Sequence, residues 1–382
     1  MINYGQQFID NQDIKSVTKV LKSKLITQGP NLKKFELALA KRFSSKYCSV
    51  VSNGTAALHL LAVALGWKKN DIILTTPVSF LATSNSILYS GATPKFIDID
   101  PLTNNINTTL LKKEIYLLKK KKKKVTAIIA VDFAGHPCDW LELKKISKKF
   151  KITLINDNCH AFGASIKKNK SYAIKYADFV TLSFHAVKHI TTGEGGAIIS
   201  NNKNIIKKIN LLRNHGVIRS KKFKPWEYKM IYLGFNYRLT DFQSALGLSQ
   251  LSKINKFLKR RKQIAKLYDY AFKNIKNIEI PNIKKDYEHA YHLYPLKIDF
   301  EKFNIKKENF FKKLKKNKIN LQVHYIPIHL QPFYKKKFKT KKGDFPNAEI
   351  FYKKEVSLPI YYGLTNKKIM FVVKNIKKIL RI

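Results

Sequence analysis

The sequence predicts an α/β protein: a large domain built on a mainly parallel sheet, followed by a smaller α+β domain at the C-terminus. Three observations predict it. Between about residues 47 and 200, short apolar runs alternate with helical stretches, as strands joined by crossover helices do. One run, Val125-Thr126-Ala127-Ile128-Ile129-Ala130-Val131, is almost continuously apolar, the habit of a strand covered on both faces in a parallel sheet. Beyond about residue 260 the pattern becomes helix, strand, helix, strand, which divides the chain into residues 1–250, a large domain with an N-terminal arm, and residues 251–382, a small domain.

Composition sets bounds on function. A chain of 382 residues with 45% hydrophobic and 12% aromatic content supports a large core. The formal charge of +49 points toward polyanions, yet only seven of the 74 basic residues are arginine, and the lysines are spread along the whole length. The guanidinium fork that reads phosphates and bases is therefore scarce, and specific nucleic-acid binding is not expected. Cys48, Cys138 and Cys159 show no Cys-x-x-Cys spacing, which argues against a disulfide framework and against a metal site. No apolar run approaches the roughly 18 residues of a membrane span. Met1-Ile2-Asn3-Tyr4 also lacks the build of a secretory signal, so a cytoplasmic protein without membrane partners is expected.

Taken in order, Asp10-Asn11-Gln12-Asp13 caps a helix through Val20-Leu21, which Leu25-Ile26-Thr27-Gln28-Gly29-Pro30 then breaks. A second helix, about Asn31 to Phe43, sets Leu32, Phe35, Leu39 and Phe43 on one face. The strand Tyr47-Cys48-Ser49-Val50-Val51 then runs through Ser52-Asn53-Gly54-Thr55 into a helix that begins Ala56-Ala57-Leu58. Free N–H groups and the helix dipole make such a turn an anion seat at Gly54, Thr55 and Ala56; the plain alternative is an N-cap. A strand at 71–77 leads to a helix beginning near Val78, and Phe80 at that junction either stacks on a planar ligand or belongs to the core.

Strands follow at 94–100 and 125–131, separated by a lysine-rich helix whose Lys119 to Lys124 end reads as a solvated face. The next strand ends in Asn156-Asp157-Asn158-Cys159-His160. Asp157 thus lies at the carboxyl edge where open α/β sheets bind ligands, either as partner to a protonated ring nitrogen or as a helix cap; His160 lies beside it or in the core. Phe179-Val180-Thr181-Leu182 and Ala197-Ile198-Ile199 flank Ser183-Phe184-His185-Ala186-Val187-Lys188 and a Thr/Gly-rich turn. An amine kept from bulk water there is held neutral and attacks carbonyls, so Lys188 is the candidate to carry an aldehyde cofactor. A long helix, about Asp241 to Leu258, leads to the small domain, with strands near 278–281, 293–298 and 321–325.

The parts describe one ligand. A phosphate seat at Gly54-Thr55-Ala56, a stacking Phe80, a ring-nitrogen partner Asp157 and an aldehyde-binding Lys188 fit pyridoxal 5'-phosphate. Thirty-one positions separate Asp157 from Lys188, room for one helix-strand excursion.

Ser-Asn-Gly-Thr-Ala-Ala-Leu at 52–58, Asn-Asp-Asn-Cys-His-Ala-Phe-Gly at 156–163, Ser-Phe-His-Ala-Val-Lys at 183–188 and Thr-Thr-Gly-Glu-Gly-Gly at 191–196 resemble the motifs of the DegT/DnrJ/StrS family of nucleotide-sugar aminotransferases. The resemblance runs from about Tyr4 to the C-terminus and implies a fold type I pyridoxal-phosphate enzyme, with Ser183 and His160 joining the cofactor residues and Lys188 catalytic. Asn156 departs from it, because many relatives carry an acidic residue there, which implies altered tuning of Asp157. The blocks Asn236-Tyr237-Arg238-Leu239, His292-Leu293-Tyr294-Pro295 and Gln322 to Ile328 resemble family members of the pseudaminic acid route.

That likeness implies transfer of an amino group from L-glutamate to C4 of UDP-2-acetamido-2,6-dideoxy-β-L-arabino-hex-4-ulose, a UDP-4-keto-6-deoxy amino sugar. It also implies a homodimer with shared active sites, in which Asn236 reaches the cofactor phosphate of the neighbouring subunit. Tyr4, Leu25, Ile26, Thr27, Gln28, His185, Tyr325, Ile326, Pro327 and Ile328 match segments that contact the sugar nucleotide. The competing expectations are a sister 4-aminotransferase acting on UDP-4-keto-arabinose and, from another class, a nucleic-acid-binding protein on an inactive scaffold.

Overall fold

The computed structural model describes residues 1–382, and its centre is a seven-stranded sheet. The strands are β1 (Tyr47–Val51), β2 (Ile72–Thr75), β3 (Thr93–Phe96), β4 (Val125–Val131), β5 (Thr153–Asp157), β6 (Phe179–Ser183) and β7 (Gly196–Ser200). They lie in the order β1-β7-β6-β5-β4-β2-β3, with β7 antiparallel to both its neighbours and every other pairing parallel. From Ala127 onward β4 is wholly buried, which is why its sequence carries no polar alternation. Helices cover both faces. One apolar layer holds Phe35, Trp140 and Phe184, the other Leu60, Ile129 and Ile198.

Because β7 runs against β1 and β6, the carboxyl ends of β1, β4, β5 and β6 all reach the same edge. The turn after β1, the end of β5 and the segment after β6 therefore converge there, although they are far apart in sequence.

The C-terminal part has its own three-stranded antiparallel sheet, Ile278–Glu279, Tyr294–Ile298 and Glu355–Leu358, with Tyr294–Ile298 in the middle. Helices Lys307–Lys316 and Asn366–Leu380 supply Phe310, Leu314, Ile369, Val372 and Ile376 to a second core. The arm joins this core too: Ile2–Asn3 pairs in parallel with Ile319–Asn320, and Ile2 is buried. Helix Ile254–Phe272 serves both cores, Phe257 and Leu258 the first, Ile264, Tyr268 and Phe272 the second. We propose that the boundary between a large and a small domain falls at the junction ahead of this helix, near residue 250.

The strand expected over 94–100 ends at Phe96, and three further elements differ from the sequence expectation. The helix expected over 241–258 stops at Ser252 and restarts at Ile254. Lys253 at the break turns its ammonium to Asp10 and the fully buried Asp13, 2.7 Å from each carboxylate, a pull that comes from the N-terminal arm. The helix expected from Val78 begins at Leu81, after an extended Phe80. Residues 321–325 form no strand beyond a single bridge from Gln322 to Ser357; pairing in that region goes to Ile319–Asn320 instead.

Candidate active site

The converging edge encloses a cavity of about 700 Å³. Its floor begins where β1 turns into helix Gly54–Ala64. Asn53 caps that helix by accepting the Ala56 N–H at 2.7 Å, so the N-cap and the anion seat are one structure. The N–H groups of Gly54 and Thr55, in the first turn, have no partner within the helix. Ser183 closes over them from the end of β6: a Cβ at position 54 would lie 2.9 Å from the Ser183 Cβ. Only glycine allows this approach, and the cradle of N–H and hydroxyl donors suits a phosphate.

Asp157 ends β5, buried, with its carboxylate on the cavity wall. It accepts Thr83 Oγ1–H at 2.7 Å and the Cys159 N–H at 3.3 Å, and it forms no ion pair. A buried carboxylate with neutral donors only is suited to a cationic ligand group such as a ring N–H⁺. Asn156 points to the other face, because successive residues of a strand alternate. Its Nδ2–H donates to Asp132 Oδ2 at 3.1 Å, within a buried network that includes Tyr172 and Trp140. The tuning of Asp157 expected from this departure is not what the geometry provides; the side chain serves Asp132.

Lys188 faces the same cavity from the loop after β6. Burial lowers its pKa from the usual lysine value, Asp157 opposes that shift, and Arg261 adds to it. Its Nζ lies 3.4 Å from His292 Nε2. His160 donates or accepts at Tyr325 Oη, 3.1 Å from its Nε2, while its buried Nδ1 has no partner. Burial holds both imidazoles well below the usual histidine pKa, so both are neutral. Cys159, also on the wall, has its thiol pushed up by burial.

Phe80 is 57% exposed and forms part of the cavity wall beside Tyr325, so it does not belong to the core. Of the residues expected at the sugar, Tyr4, His185 and Tyr325 line the cavity. Leu25, Ile26, Thr27 and Gln28 do not: Leu25 and Ile26 point to the exterior, and Thr27 is bridged to Thr240. Ile326 and Pro327 also lie off the wall, and Ile328 is fully buried beside Phe96 and Tyr334, so its side chain serves packing. Asn236 is exposed outside the cavity, bridged to Asn214. Sequence reasoning missed Thr83, His59, Glu194 and His324 as wall residues. Thr83 carried a signal, a hydroxyl in the first turn of the helix that follows Phe80; Glu194 and His324 lay inside family-like motifs with no role read for them, and His59 carried none.

This sheet order, with a lysine and an aspartate facing one cavity beside a helix N-terminus, defines a fold type I aminotransferase that uses pyridoxal phosphate. The residues present fit that cofactor: a glycine cradle for phosphate, a carboxylate lacking a cation, and an amine held low. The chain belongs to the DegT/DnrJ/EryC1/StrS aminotransferase family, whose model matches residues 7–377. It is 41% identical over 382 residues, 100% of this chain and 98% of the relative, to the UDP-4-amino-4,6-dideoxy-N-acetyl-beta-L-altrosamine transaminase of Campylobacter jejuni. Among solved structures it superposes with a TM-score of 0.90 on Helicobacter pylori PseC, an aminotransferase involved in the biosynthesis of pseudoaminic acid, at 33% identity over 100% of this chain and 99% of that one. A Streptococcus pneumoniae sugar aminotransferase in its PLP form gives the same TM-score at 28% identity, covering 100% and 98%.

Proposed function

We propose that the protein moves the amino group of L-glutamate to C4 of UDP-2-acetamido-2,6-dideoxy-β-L-arabino-hex-4-ulose. The observation that carries this reading is the full-length likeness to the Campylobacter transaminase, and it is supported by the cavity of this chain, which Lys188 and Asp157 both face. Pyridoxal phosphate, when bound, supplies an electron sink and a carrier for the amino group. Gly54, Thr55 and Ser183 would hold its phosphate, and Asp157 would accept the hydrogen bond of its ring N–H⁺.

Lys188 Nζ takes the proton from the α-carbon of glutamate in one half-reaction and delivers one to C4 of the sugar in the other. Its lowered pKa, a consequence of burial, suits both tasks, because it raises the share of free amine that can take a proton. Tyr4 and Tyr325 flank the space for the sugar. A homodimer belongs to the same proposal: Trp226, Tyr228, Met230 and Leu233 are exposed just ahead of Asn236, an apolar surface suited to a second copy of the chain.

The test is to incubate the enzyme with glutamate and a panel of 4-keto UDP sugars that includes UDP-4-keto-arabinose, identifying the amine by mass and NMR. Lys188→Ala is expected to lose the visible absorbance of the lysine-bound cofactor and about 10²–10⁴-fold of kcat. Preference for the arabinose sugar, or normal turnover by Lys188→Ala, would refute the reading.

A further inference from the structure

The cavity wall holds a histidine whose hydrogen-bonding polarity is set from behind. His324 is 6% exposed, lies between Tyr4 and Tyr325 with ring centroids 5.0 and 4.9 Å away, and lines the cavity. Its Nδ1 is 2.8 Å from Ser357 Oγ, and Ser357 Oγ donates to Glu355 Oε1 at 2.5 Å. The other carboxylate oxygen, Oε2, accepts the His324 backbone N–H at 3.0 Å. Ser357 and Glu355 are fully buried.

Proton counting fixes the rest. A serine hydroxyl has one proton, and an ionised carboxylate accepts only. While Glu355 is ionised and takes that proton, Ser357 Oγ receives its second bond from Nδ1–H of His324. A neutral imidazole protonated at Nδ1 is bare at Nε2, the ring's one polar atom without a protein partner. Burial keeps the ring neutral, with its pKa lowered to about 3.

We propose that His324 is a specificity-determining acceptor: Glu355, acting through Ser357, holds its imidazole in the tautomer that presents Nε2 to the cavity, where it takes a hydrogen bond from a hydroxyl or amide N–H of the acceptor sugar. This rests on the reading of the site as a sugar aminotransferase. Glu355 and Ser357 are positioning residues that touch no substrate. A proton on Glu355 reverses the relay: the carboxyl donates to Ser357, Ser357 donates to Nδ1, and the proton moves to Nε2, where it opposes the sugar's own donor. Burial pushes the Glu355 carboxyl up to about 7, while Ser357, the Lys307 ammonium and the His324 N–H favour its ionised form. The charged group facing His324 itself is Lys188.

Glu355→Gln tests this with little change of shape. The glutamine oxygen keeps the His324 N–H, and its amide then donates to Ser357, which locks the reversed relay. With ¹⁵N-labelled histidine at pH 8.5, the wild type is expected to show His324 protonated at Nδ1 and bare at Nε2, assigned by the loss of the signal in His324→Gln; Glu355→Gln is expected to show the opposite. The KM for the UDP-4-keto sugar should rise at least tenfold in Glu355→Gln, more than the KM for glutamate, and Ser357→Ala should move it in the same direction. In the wild type that KM should also rise as the pH falls below about 7, a dependence absent from Glu355→Gln. A wild-type Nε2–H at pH 8.5, or a sugar KM within twofold of wild type in Glu355→Gln, overturns the proposal. The nitrogen spectrum needs no substrate, so failure of the relay is separable from failure to turn over any nucleotide sugar, which would remove the function proposed above and the acceptor's ligand with it.

Discussion

Thr83→Val isolates the support under Asp157. The two side chains are 1% and 4% exposed, and the hydroxyl donates to the carboxylate at 2.7 Å. Valine keeps the branched shape and removes the donor, leaving Asp157 with the longer bond from Cys159 N–H at 3.3 Å. A hydrogen bond to a charged group contributes about 1.5–3 kcal/mol. At about 1.4 kcal/mol per factor of ten, its loss should weaken pyridoxal phosphate binding and kcat/KM by roughly 10- to 100-fold. Part of that loss is orientation, since an unheld carboxylate no longer meets a ring nitrogen at one angle. The assay is titration of apoenzyme with pyridoxal phosphate, followed by absorbance, alongside steady-state turnover. Thr83→Ser keeps a hydroxyl and should stay near wild type. If Thr83→Val bound the cofactor and turned over within twofold of wild type, the assignment of Asp157 as the ring partner held by Thr83 would be wrong.

Gly247→Ala should destabilise the fold by about 1–3 kcal/mol despite alanine's better helix propensity, because the added Cβ would lie 2.5 Å from the Phe35 ring; denaturant midpoints check this, and an unchanged midpoint would show that the helices part freely. Asn156→Asp should set a second buried carboxylate against Asp132, lowering thermal stability more at pH 8 than at pH 5 while cofactor affinity moves little, because the side chain faces away from the cavity; a cofactor affinity that tracked the stability loss would contradict that placement. Burial lowers the pKa of His324 to about 3 and of His136 to about 4 from 6.5. Their contribution is complete above pH 6.5 and is lost as the pH falls, because the unfolded chain binds protons first; each should cost about 2 kcal/mol by pH 5, and a denaturation series showing no loss until the carboxylate range would refute it.

That Asp157 and Lys188 would meet at one cavity was legible because their signals are local. Apolar runs marked β5 and β6, a carboxylate closed one and a lysine followed the other, and parallel pairing brings the two strand ends to one edge. The capped helix start proposed to seat the phosphate was legible for the same reason, since Asn53, Gly54 and Thr55 are adjacent. What escaped depends on residues far apart in sequence. The break at Lys253 is where its ammonium meets Asp10 and Asp13, more than two hundred positions earlier. Ile326-Pro327-Ile328 reads as one segment, yet Ile326 is exposed and Ile328 fully buried, because the chain tightens into a turn whose Ile328 N–H donates to Pro77. His324 looked like part of a family motif; its acceptor polarity depends on a serine and a glutamate in Glu355–Leu358.

The arrangement of charges explains why the site resides on this edge. Lys188 and Asp157 share a cavity and form no ion pair; the amine's nearest polar partner is the neutral His292, and the carboxylate's partners are a hydroxyl and an N–H. Had they met, each would have satisfied the other and the pair would have been inert structure, as Arg213 and Glu36 are behind β1. Sheet pleat and strand order prevent it: Asp157 is the last residue of β5 and Lys188 lies five residues past the end of β6, so the ligand space opens between them. A carboxylate and an amine kept from one another need a molecule with an acidic ring N–H at one end and an electrophilic carbon at the other. The separation that costs each buried group its solvation free energy is the same one that fits the pair to such a ligand.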